Sequence, residues 1–217
     1  MIHKSKLVWG ILLSVLFIDQ SIKIYIKLHY PLGIVKEFTP WAYLYFTENA
    51  GMAFGIEWGG DYGKLVLTLF RLFACSWGIW FVHELLKKNE SYGYLISVSL
   101  ILAGAIGNII DSLFYGILFT ESTEYQIAQL SVGHGYAPLF YGKVVDMFYF
   151  PLFSGSFPSW FPIWGGEDFL FFRPIFNFAD ASITVGAFIF ILFHKKIYEY
   201  SEKNKQPAHR TGRDAVL

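Results

Sequence analysis

Asparagine and aspartate occur twice in this sequence with the same short spacing, each time beside an apolar run. Asn177 and Asp180 precede the apolar run 183–193, and Asn108 and Asp111 lie near the end of another. Residues three positions apart share a face of a helix, so each pair would present an amide and a carboxylate together. A carboxylate at the end of a membrane-spanning helix is costly and by default indicates a functional site.

A third acid, Asp146, lies in the short apolar segment 143–148 and indicates what chemistry the set could perform. When two carboxylates share a site, their repulsion and burial raise one pKa strongly, so the pair holds one proton near neutral pH. The ionised acid can then take a proton from an attacking water while the protonated acid polarises an amide carbonyl. This is aspartic-protease chemistry, which needs no metal or other cofactor. Spacing alone leaves open whether Asp111 or Asp146 accompanies Asp180.

Other catalytic arrangements have weaker support in the sequence. His134 is the single histidine between residues 115 and 172, and no His-x-x-x-His spacing occurs, so a zinc peptidase is not predicted. Ser131 and Ser182 have no evident base beside them and are expected to bond local backbone. The single cysteine, Cys75, excludes an internal disulfide and is expected to be a packed thiol.

The composition is that of a membrane protein. Of the 217 residues, 54% are hydrophobic and 16% are charged, against about 25% charged in an ordinary soluble domain. A net charge of zero gives no indication of a nucleic-acid partner. Four segments approach the roughly 20 residues that span a bilayer, and they lie at about 7–28, 64–86, 92–114 and 174–194.

The segments between the spans predict a small sheet and long loops. Alternating apolar residues at 41–46 favour a strand. The segment 47–55 that follows is either a hairpin turn or a loop whose Asn49 side chain holds an extended peptide. We therefore expect an all-α membrane protein with four transmembrane helices, a small extracytoplasmic β-sheet and long extracytoplasmic loops. Residues 1–200 would form one domain with outer segments 29–63 and 115–173, and 201–217 a disordered cytoplasmic tail.

Basic residues predict the orientation of the spans. Ten of the 17 Lys and Arg residues fall in three places that must lie on one side of the membrane, namely the N-terminus, the segment 87–88 and the segment 195–213. Cytoplasmic loops carry an excess of Lys and Arg, so both termini are predicted to be cytoplasmic. Asp111, Asp146, Asp180 and the Asn49 loop then gather at the opposite face.

Charged residues also interrupt two of the predicted spans. Asp19 and Lys23 are four positions apart in the first span and could pair along one helix face. They could equally mark a helix end from which both side chains reach water. Arg71, in the second span, would either reach the interface or pair with an acid.

Five motifs occur here in an order that resembles lipoprotein signal peptidase (signal peptidase II). The resemblance covers roughly residues 7–193. The motifs are Asp19 with Lys23, Asn49-Ala50-Gly51-Met52-Ala53-Phe54, Gly107-Asn108-Ile109-Ile110-Asp111, Val144-Val145-Asp146 and Phe176-Asn177-Phe178-Ala179-Asp180.

This resemblance implies an aspartic endopeptidase of the bacterial inner membrane, inhibited by globomycin and without a metal or cofactor. It would remove the signal peptide from prolipoproteins by cutting before a cysteine that carries a diacylglyceryl group. It places the catalytic acids at Asp146 and Asp180, near the periplasmic face and in contact with membrane lipid. It places polar support at Asp19, Lys23, Asn49, Gly51, Asn108, Asp111 and Asn177. For Asp111 we favour a structural role over catalysis, and nothing in the sequence requires more than a monomer.

The sequence departs from the family pattern in two respects. The family usually has arginine after the acid of its Gly-Asn-x-x-Asp motif, whereas this chain has Ser112. Our hypothesis is that Arg173 supplies the missing ion pair with Asp111. The segments 112–145 and 147–172 are also long, and their aromatic content favours the membrane interface over free solvent.

Two other functions would suit a membrane protein with such acids. A transporter or channel subunit would use them to relay protons or bind cations, and an assembly factor would use them only to anchor loops. The acids cluster at one membrane edge and the chain lacks repeated halves, which favours the peptidase over the transporter.

Overall fold

The described residues include four helices long and apolar enough to cross a membrane, as the sequence predicts. The structure is a computed structural model that describes residues 2–50 and 60–205. The four helices are α1 (Ile2–His29), α2 (Gly60–Lys87), α3 (Tyr92–Ile110) and α5 (Phe178–Lys205). A π-helical segment (Asp111–Tyr115) and the short α4 (Gly116–Leu118) extend α3.

The ends of the helices follow from local sequence. Asn89 has a φ of 53°, a left-handed conformation that commonly follows a helix and that asparagine tolerates. The Ser91 hydroxyl then accepts a hydrogen bond from the Tyr94 amide (3.3 Å) and caps α3. Helix α5 begins at Phe178 and continues to Lys205. Residues 201–205 are therefore helical, residues 206–217 lie outside the described residues, and the disordered tail stays a prediction.

Helix α3 is the centre of the bundle and contacts α1, α2 and α5. In its membrane-length window 44% of residues are buried, against 17–28% in the other three. Small residues explain the close packing against α5, because a Cβ at Gly104 would lie 2.2 Å from the Ala179 carbonyl oxygen. Apolar side chains fill the space between the helices, among them Val8, Leu12, Val82, Leu85, Leu95 and Leu102.

A four-stranded antiparallel sheet covers one end of the bundle. It comprises β1 (Val35–Thr39), β2 (Ala42–Asn49), β3 (Val144–Tyr149) and β6 (Ile175–Phe176) in the order β1-β2-β3-β6. The predicted strand at 41–46 thus lies in β2, where Ala42, Leu44 and Phe46 alternate inward. Phe46 packs with Ile26 and Val145, which joins the sheet to α1.

A separate two-stranded hairpin lies between β3 and β6 in the sequence. Strands β4 (Phe153–Ser156) and β5 (Asp168–Phe171) pair with each other and with no other described strand. Part of the outer segment 115–173, where we expected long loops, is therefore a β-hairpin. Strand β5 ends only seven residues before α5 begins at Phe178, so the hairpin is rooted at the end of a span.

Candidate active site

A buried charge cluster joins α1 to the end of α3. The Lys23 ammonium lies 3.0 Å from an Asp19 carboxylate oxygen and 2.8 Å from an Asp111 carboxylate oxygen, and all three side chains are fully buried. Of the two alternatives for Asp19 and Lys23, the structure therefore supports pairing inside the protein. Gly107 makes this possible, because a Cβ at this position would lie 2.8 Å from Asp19 Oδ2.

Asp111 connects this cluster to the sheet. Its carboxylate accepts hydrogen bonds from the Gln20 amide (2.9 Å) and from the Val145 backbone N–H (3.3 Å). Val145 immediately precedes Asp146, so Asp111 fixes the strand that carries the third acid. A structural group makes contacts of this kind, and the structural role of Asp111 stays a prediction.

Our hypothesis that Arg173 pairs with Asp111 is wrong. Arg173 is exposed, whereas Asp111 is fully buried and has Lys23 as its cationic partner. Ser112, where the cation was missing, is also buried, and its hydroxyl donates to the Asn108 carbonyl (3.1 Å). Lys23 of α1 thus compensates the charge of Asp111, the role that we had assigned to Arg173.

The start of α5 is fixed by one hydrogen bond to Asp19 and by a reciprocal pair of bonds between Asn177 and Asp180. Asp19 Oδ1 accepts a bond from the Ala179 N–H (2.9 Å). Asn177 Oδ1 accepts from the Asp180 N–H (2.9 Å), while Asp180 Oδ2 accepts from the Asn177 N–H (3.3 Å). This is the logic of a capping box, in which side chains satisfy the free amides of the first helical turn. Asp180 is held at the helix end by this local chemistry.

Two amide side chains join Asp180 to Asp146. Asn177 Nδ2 donates to Asp146 Oδ1 (2.7 Å) and to Asn108 Oδ1 (3.0 Å). Asn108 Nδ2 donates to Asp180 Oδ1 (2.8 Å), and Asn108 Oδ1 also accepts from the Lys23 ammonium (2.8 Å). The two Asn-x-x-Asp pairs of the sequence are therefore in direct contact. Asn177 touches both acids and is itself fully buried.

Asp146 is the more enclosed of the two acids. It is 4% exposed, and Asn49 Nδ2 donates a short hydrogen bond to its second carboxylate oxygen. The register of β2 and β3 places Thr47 opposite Asp146, which brings Asn49 within reach. Burial and the charge of Asp180 together raise the pKa of Asp146 to about 7. Gly51, the remaining predicted site residue, lies outside the described residues.

An apolar cavity of about 580 Å³ opens beside Asp180 between α2, α3 and α5. Its polar lining includes Asn108, Asp180 and Arg71, and its apolar lining includes Trp77, Phe81, Val98, Leu102, Ile183 and Phe190. Arg71 is half-buried and interacts favourably with the charge of Asp180. Of its two expected alternatives, this electrostatic attraction favours a position near an acid over one at the membrane interface.

Most of the chain is similar to known lipoprotein signal peptidases. The family model described as signal peptidase (SPase) II matches residues 11–195. The chain belongs to the lipoprotein signal peptidase family. A lipoprotein signal peptidase of Porphyromonas gingivalis is 48% identical over 195 residues, which cover 89% of this chain and 84% of the relative. One from Amoebophilus asiaticus is 38% identical over 197 residues, covering 87% and 78% of the two chains.

A solved structure described as a bacterial membrane enzyme, obtained by the in meso method at 2.3 Å resolution, shares the fold. Its TM-score is 0.54 at 23% identity, and the match covers 94% of each chain. Membership of the lipoprotein signal peptidase family makes this chain a peptidase that processes prolipoproteins. With its membrane-length helices, it also indicates a protein of the bacterial inner membrane.

Some groups that shape this lipoprotein signal peptidase site were not among the predicted site residues. Gln20 donates to Asp111 and accepts from the Tyr115 hydroxyl (3.0 Å), but a neutral amide beside an acid gives little signal in sequence. Glu48 precedes Asn49 and pairs with Lys27, and only its position before the Asn49 motif could have indicated it. Ser131 and Ser182 bond local carbonyls as expected, and Cys75 is buried.

Proposed function

We propose that the protein is an aspartic endopeptidase that removes the signal peptide from diacylglyceryl-modified prolipoproteins, cutting before the lipidated cysteine. One observation carries the mechanism: a single buried residue, Asn177, makes hydrogen bonds with both Asp146 and Asp180, and Asp180 lines an apolar cavity. Family membership supports the choice of substrate.

In this mechanism Asp146 enters the reaction protonated and Asp180 enters as a carboxylate. Burial and a neighbouring negative charge favour the neutral form of Asp146. Asp180 accepts hydrogen bonds from Asn108 and from the backbone of Asn177, and both stabilise a carboxylate. Asp180 takes a proton from the attacking water while Asp146 polarises the scissile carbonyl. Proton transfer from Asp180 to the leaving amine then completes the cleavage.

The apolar cavity would hold the substrate at this catalytic pair. A signal peptide and its lipid are apolar and lie in the bilayer, and α2, α3 and α5 line the cavity with apolar side chains. We place the catalytic pair at the extracytoplasmic end of the spans and both termini in the cytoplasm, on the distribution of basic residues. Asn49, bonded to Asp146, would lie over the scissile bond.

The test uses purified full-length protein and a diacylglyceryl-modified prolipoprotein peptide, with the product identified by mass. Asp146→Asn and Asp180→Asn should each abolish cleavage, because each removes one of the two proton-transfer groups while keeping shape. Asp168→Asn is the matched control, since Asp168 is an exposed acid on β5 that bonds Ser156. Its rate should equal that of the wild type.

Full activity in either Asp146→Asn or Asp180→Asn would refute the aspartic mechanism. Cleavage at another bond would refute the substrate assignment. Globomycin should inhibit the wild-type enzyme, as family resemblance implies. Thermal unfolding of each variant in the same detergent shows whether lost activity reflects lost chemistry or lost folding.

A further inference from the structure

The lining of the cavity beside Asp180 is mostly apolar, and its described residues include a single cation. Among the described residues that line the cavity, Arg71 alone is basic. It lies in α2, whereas Asn108 and Asp180 lie across the cavity on α3 and α5. The mechanism proposed above assigns no task to Arg71.

An arginine is an unusual lining for such a cavity. Taking a guanidinium out of water is costly, so it requires charge compensation and hydrogen-bond acceptors. Asp180 supplies part of the compensation through its favourable interaction with Arg71. A guanidinium carries five N–H donors in a planar fork, so it can serve a carboxylate and a further acceptor at the same time.

The charges in the cavity lining indicate what kind of acceptor fits. Arg71 and Asp180 together bring one positive and one negative charge to the lining. An anionic ligand would meet the Asp180 carboxylate and be repelled, whereas a neutral carbonyl oxygen would not. A carbonyl oxygen also accepts strong hydrogen bonds from a guanidinium in apolar surroundings.

We propose that Arg71 binds a carbonyl oxygen of the prolipoprotein next to the scissile bond and so positions the substrate against Asp180. This inference rests on the proposed function. Two kinds of carbonyl group in the substrate lie close to the cut, the backbone carbonyls flanking the cysteine and the ester carbonyls of its diacylglyceryl group. Both present the same acceptor chemistry, and the substrate decides between them experimentally.

The experiment compares the wild type with Arg71→Gln and Arg71→Lys on two substrates. One is the diacylglyceryl-modified prolipoprotein peptide, and the other is the same peptide with both glyceryl esters replaced by ethers. Arg71→Gln should lower kcat/KM on the ester substrate about tenfold to a hundredfold, mainly by raising KM, as expected for one hydrogen bond to a charged donor. Arg71→Lys should lose less, because lysine keeps the charge but not the planar fork.

The ether substrate identifies the carbonyl. An equal loss on both substrates assigns the contact to the peptide backbone, and a loss that disappears on the ether substrate assigns it to the ester. Arg173→Gln is the matched control, because Arg173 is an exposed arginine outside the cavity. Its kcat/KM should stay within about twofold of the wild type, as for a surface substitution.

Three results would overturn the proposal while leaving the protease assignment intact. If the wild type cleaves and the kcat/KM of Arg71→Gln stays within twofold of it on both substrates, Arg71 binds no carbonyl. A fall confined to kcat with an unchanged KM would show that Arg71 acts only through Asp180. If Arg71→Gln fails to fold, Arg71→Lys takes its place. A kcat/KM equal to that of the wild type on both substrates would then show that the guanidinium makes no specific contact with the substrate. Absence of cleavage by the wild type would instead count against the proposed function.

Discussion

The candidate site is built around amide side chains that hold two carboxylates in place. Asn177 donates to Asp146 and Asn108 donates to Asp180, so each acid has an amide donor on a different element. The Lys23 ammonium donates a hydrogen bond to the Asn108 side chain (2.8 Å), and two carboxylates compensate its charge. A chain of satisfied buried groups fixes rotamers, which is what proton transfer at short range requires.

The pH dependence of cleavage should report the proton on Asp146. Because the pKa of Asp146 is raised to about 7, its carboxyl group is protonated below that pH and loses its proton above it. We expect kcat/KM to fall as the pH rises above about 7, since kcat/KM follows the free enzyme. The same shift makes folding stability highest below the unfolded pKa of about 4, and this contribution is lost as the pH rises through about 7.

A variant of the bridging amide tests the cause of this alkaline limb. The Asn177 donor stabilises the Asp146 carboxylate and therefore lowers its pKa. Asn177→Ala should move the limb to higher pH and reduce the maximal rate, measured as kcat/KM across the pH range. An unmoved limb in this variant would assign the titration to another group. Asp168→Asn, which changes an exposed acid on β5, should leave the limb in place.

At this scale the sequence indicates candidates but not all of their partners. Residue type and spacing are enough to single out Asn108, Asp111, Asn177 and Asp180. Spacing could not decide whether Asp111 or Asp146 accompanies Asp180. That question depends on contacts between distant segments, such as the bond from the Val145 N–H to Asp111. The error over Arg173 has the same origin, since nothing local showed that Lys23 faces Asp111.

Close packing of α3 against α5 determines where Asp180 lies. Gly104→Ala would place a Cβ 2.2 Å from the Ala179 carbonyl oxygen, so α5 would have to move. We expect a loss of about 1–3 kcal/mol in unfolding free energy, typical of overpacking, with reduced cleavage because Ala179 adjoins Asp180. Gly10→Ala in α1 is the control, since a Cβ there meets nothing within 4 Å. Unfolding in denaturing detergent and the cleavage rate measure both effects, and identical behaviour of the two variants would contradict the packing argument.

A buried ion pair ties the sheet to α1. Lys27 pairs with Glu48, and their side chains are 0% and 2% exposed. Ser122 joins them by donating to Glu48 (2.8 Å) and accepting from Lys27 (2.9 Å), which attaches the long outer segment to the sheet. The pair thereby fixes the end of β2, where Asn49 begins its contact with Asp146.

Removing one partner of this pair should lower the unfolding free energy far more than removing both. Lys27→Met leaves Glu48 buried without a cation and should cost about 3–5 kcal/mol of unfolding free energy. Adding Glu48→Gln should recover much of this loss. The exposed pair of Lys143 and Glu121, 3.4 Å apart, is the control, and Lys143→Met should cost less than about 1 kcal/mol. Equal losses in the buried and exposed variants would refute the argument.

Elements were predicted better than their pairing. Hydrophobic length identified the four helices, and alternation identified the strand within β2. The sheet order β1-β2-β3-β6 joins segments separated by two helices and a long loop, so no local pattern could specify it. The hairpin of β4 and β5 was missed because Gly, Ser and Pro in its sequence favour a loop.

For the molecule as a whole, the described outer segments differ sharply in charge. Residues 151–166 contain no Asp, Glu, Lys or Arg but include Trp160 and Trp164, which are 78% and 50% exposed. The other long segment carries Glu121, Glu124 and Lys143. Exposed tryptophan without charge is typical of the membrane–water interface, where an amphipathic ring contacts both phases. The hairpin is also rooted beside α5, at the level where that span ends.

We therefore predict that the tip of the hairpin lies in the membrane interface. Because the chain has one cysteine, a Cys75→Ala background accepts single labels at Trp160→Cys and, as the control, at Tyr125→Cys. Tyr125 is 96% exposed on the charged outer segment. In lipid nanodiscs a spin label at position 160 should be more accessible to oxygen than to a water-soluble nickel chelate, and the label at 125 should show the reverse. Equal accessibility of both labels to the nickel chelate would place the hairpin in solvent and contradict the prediction.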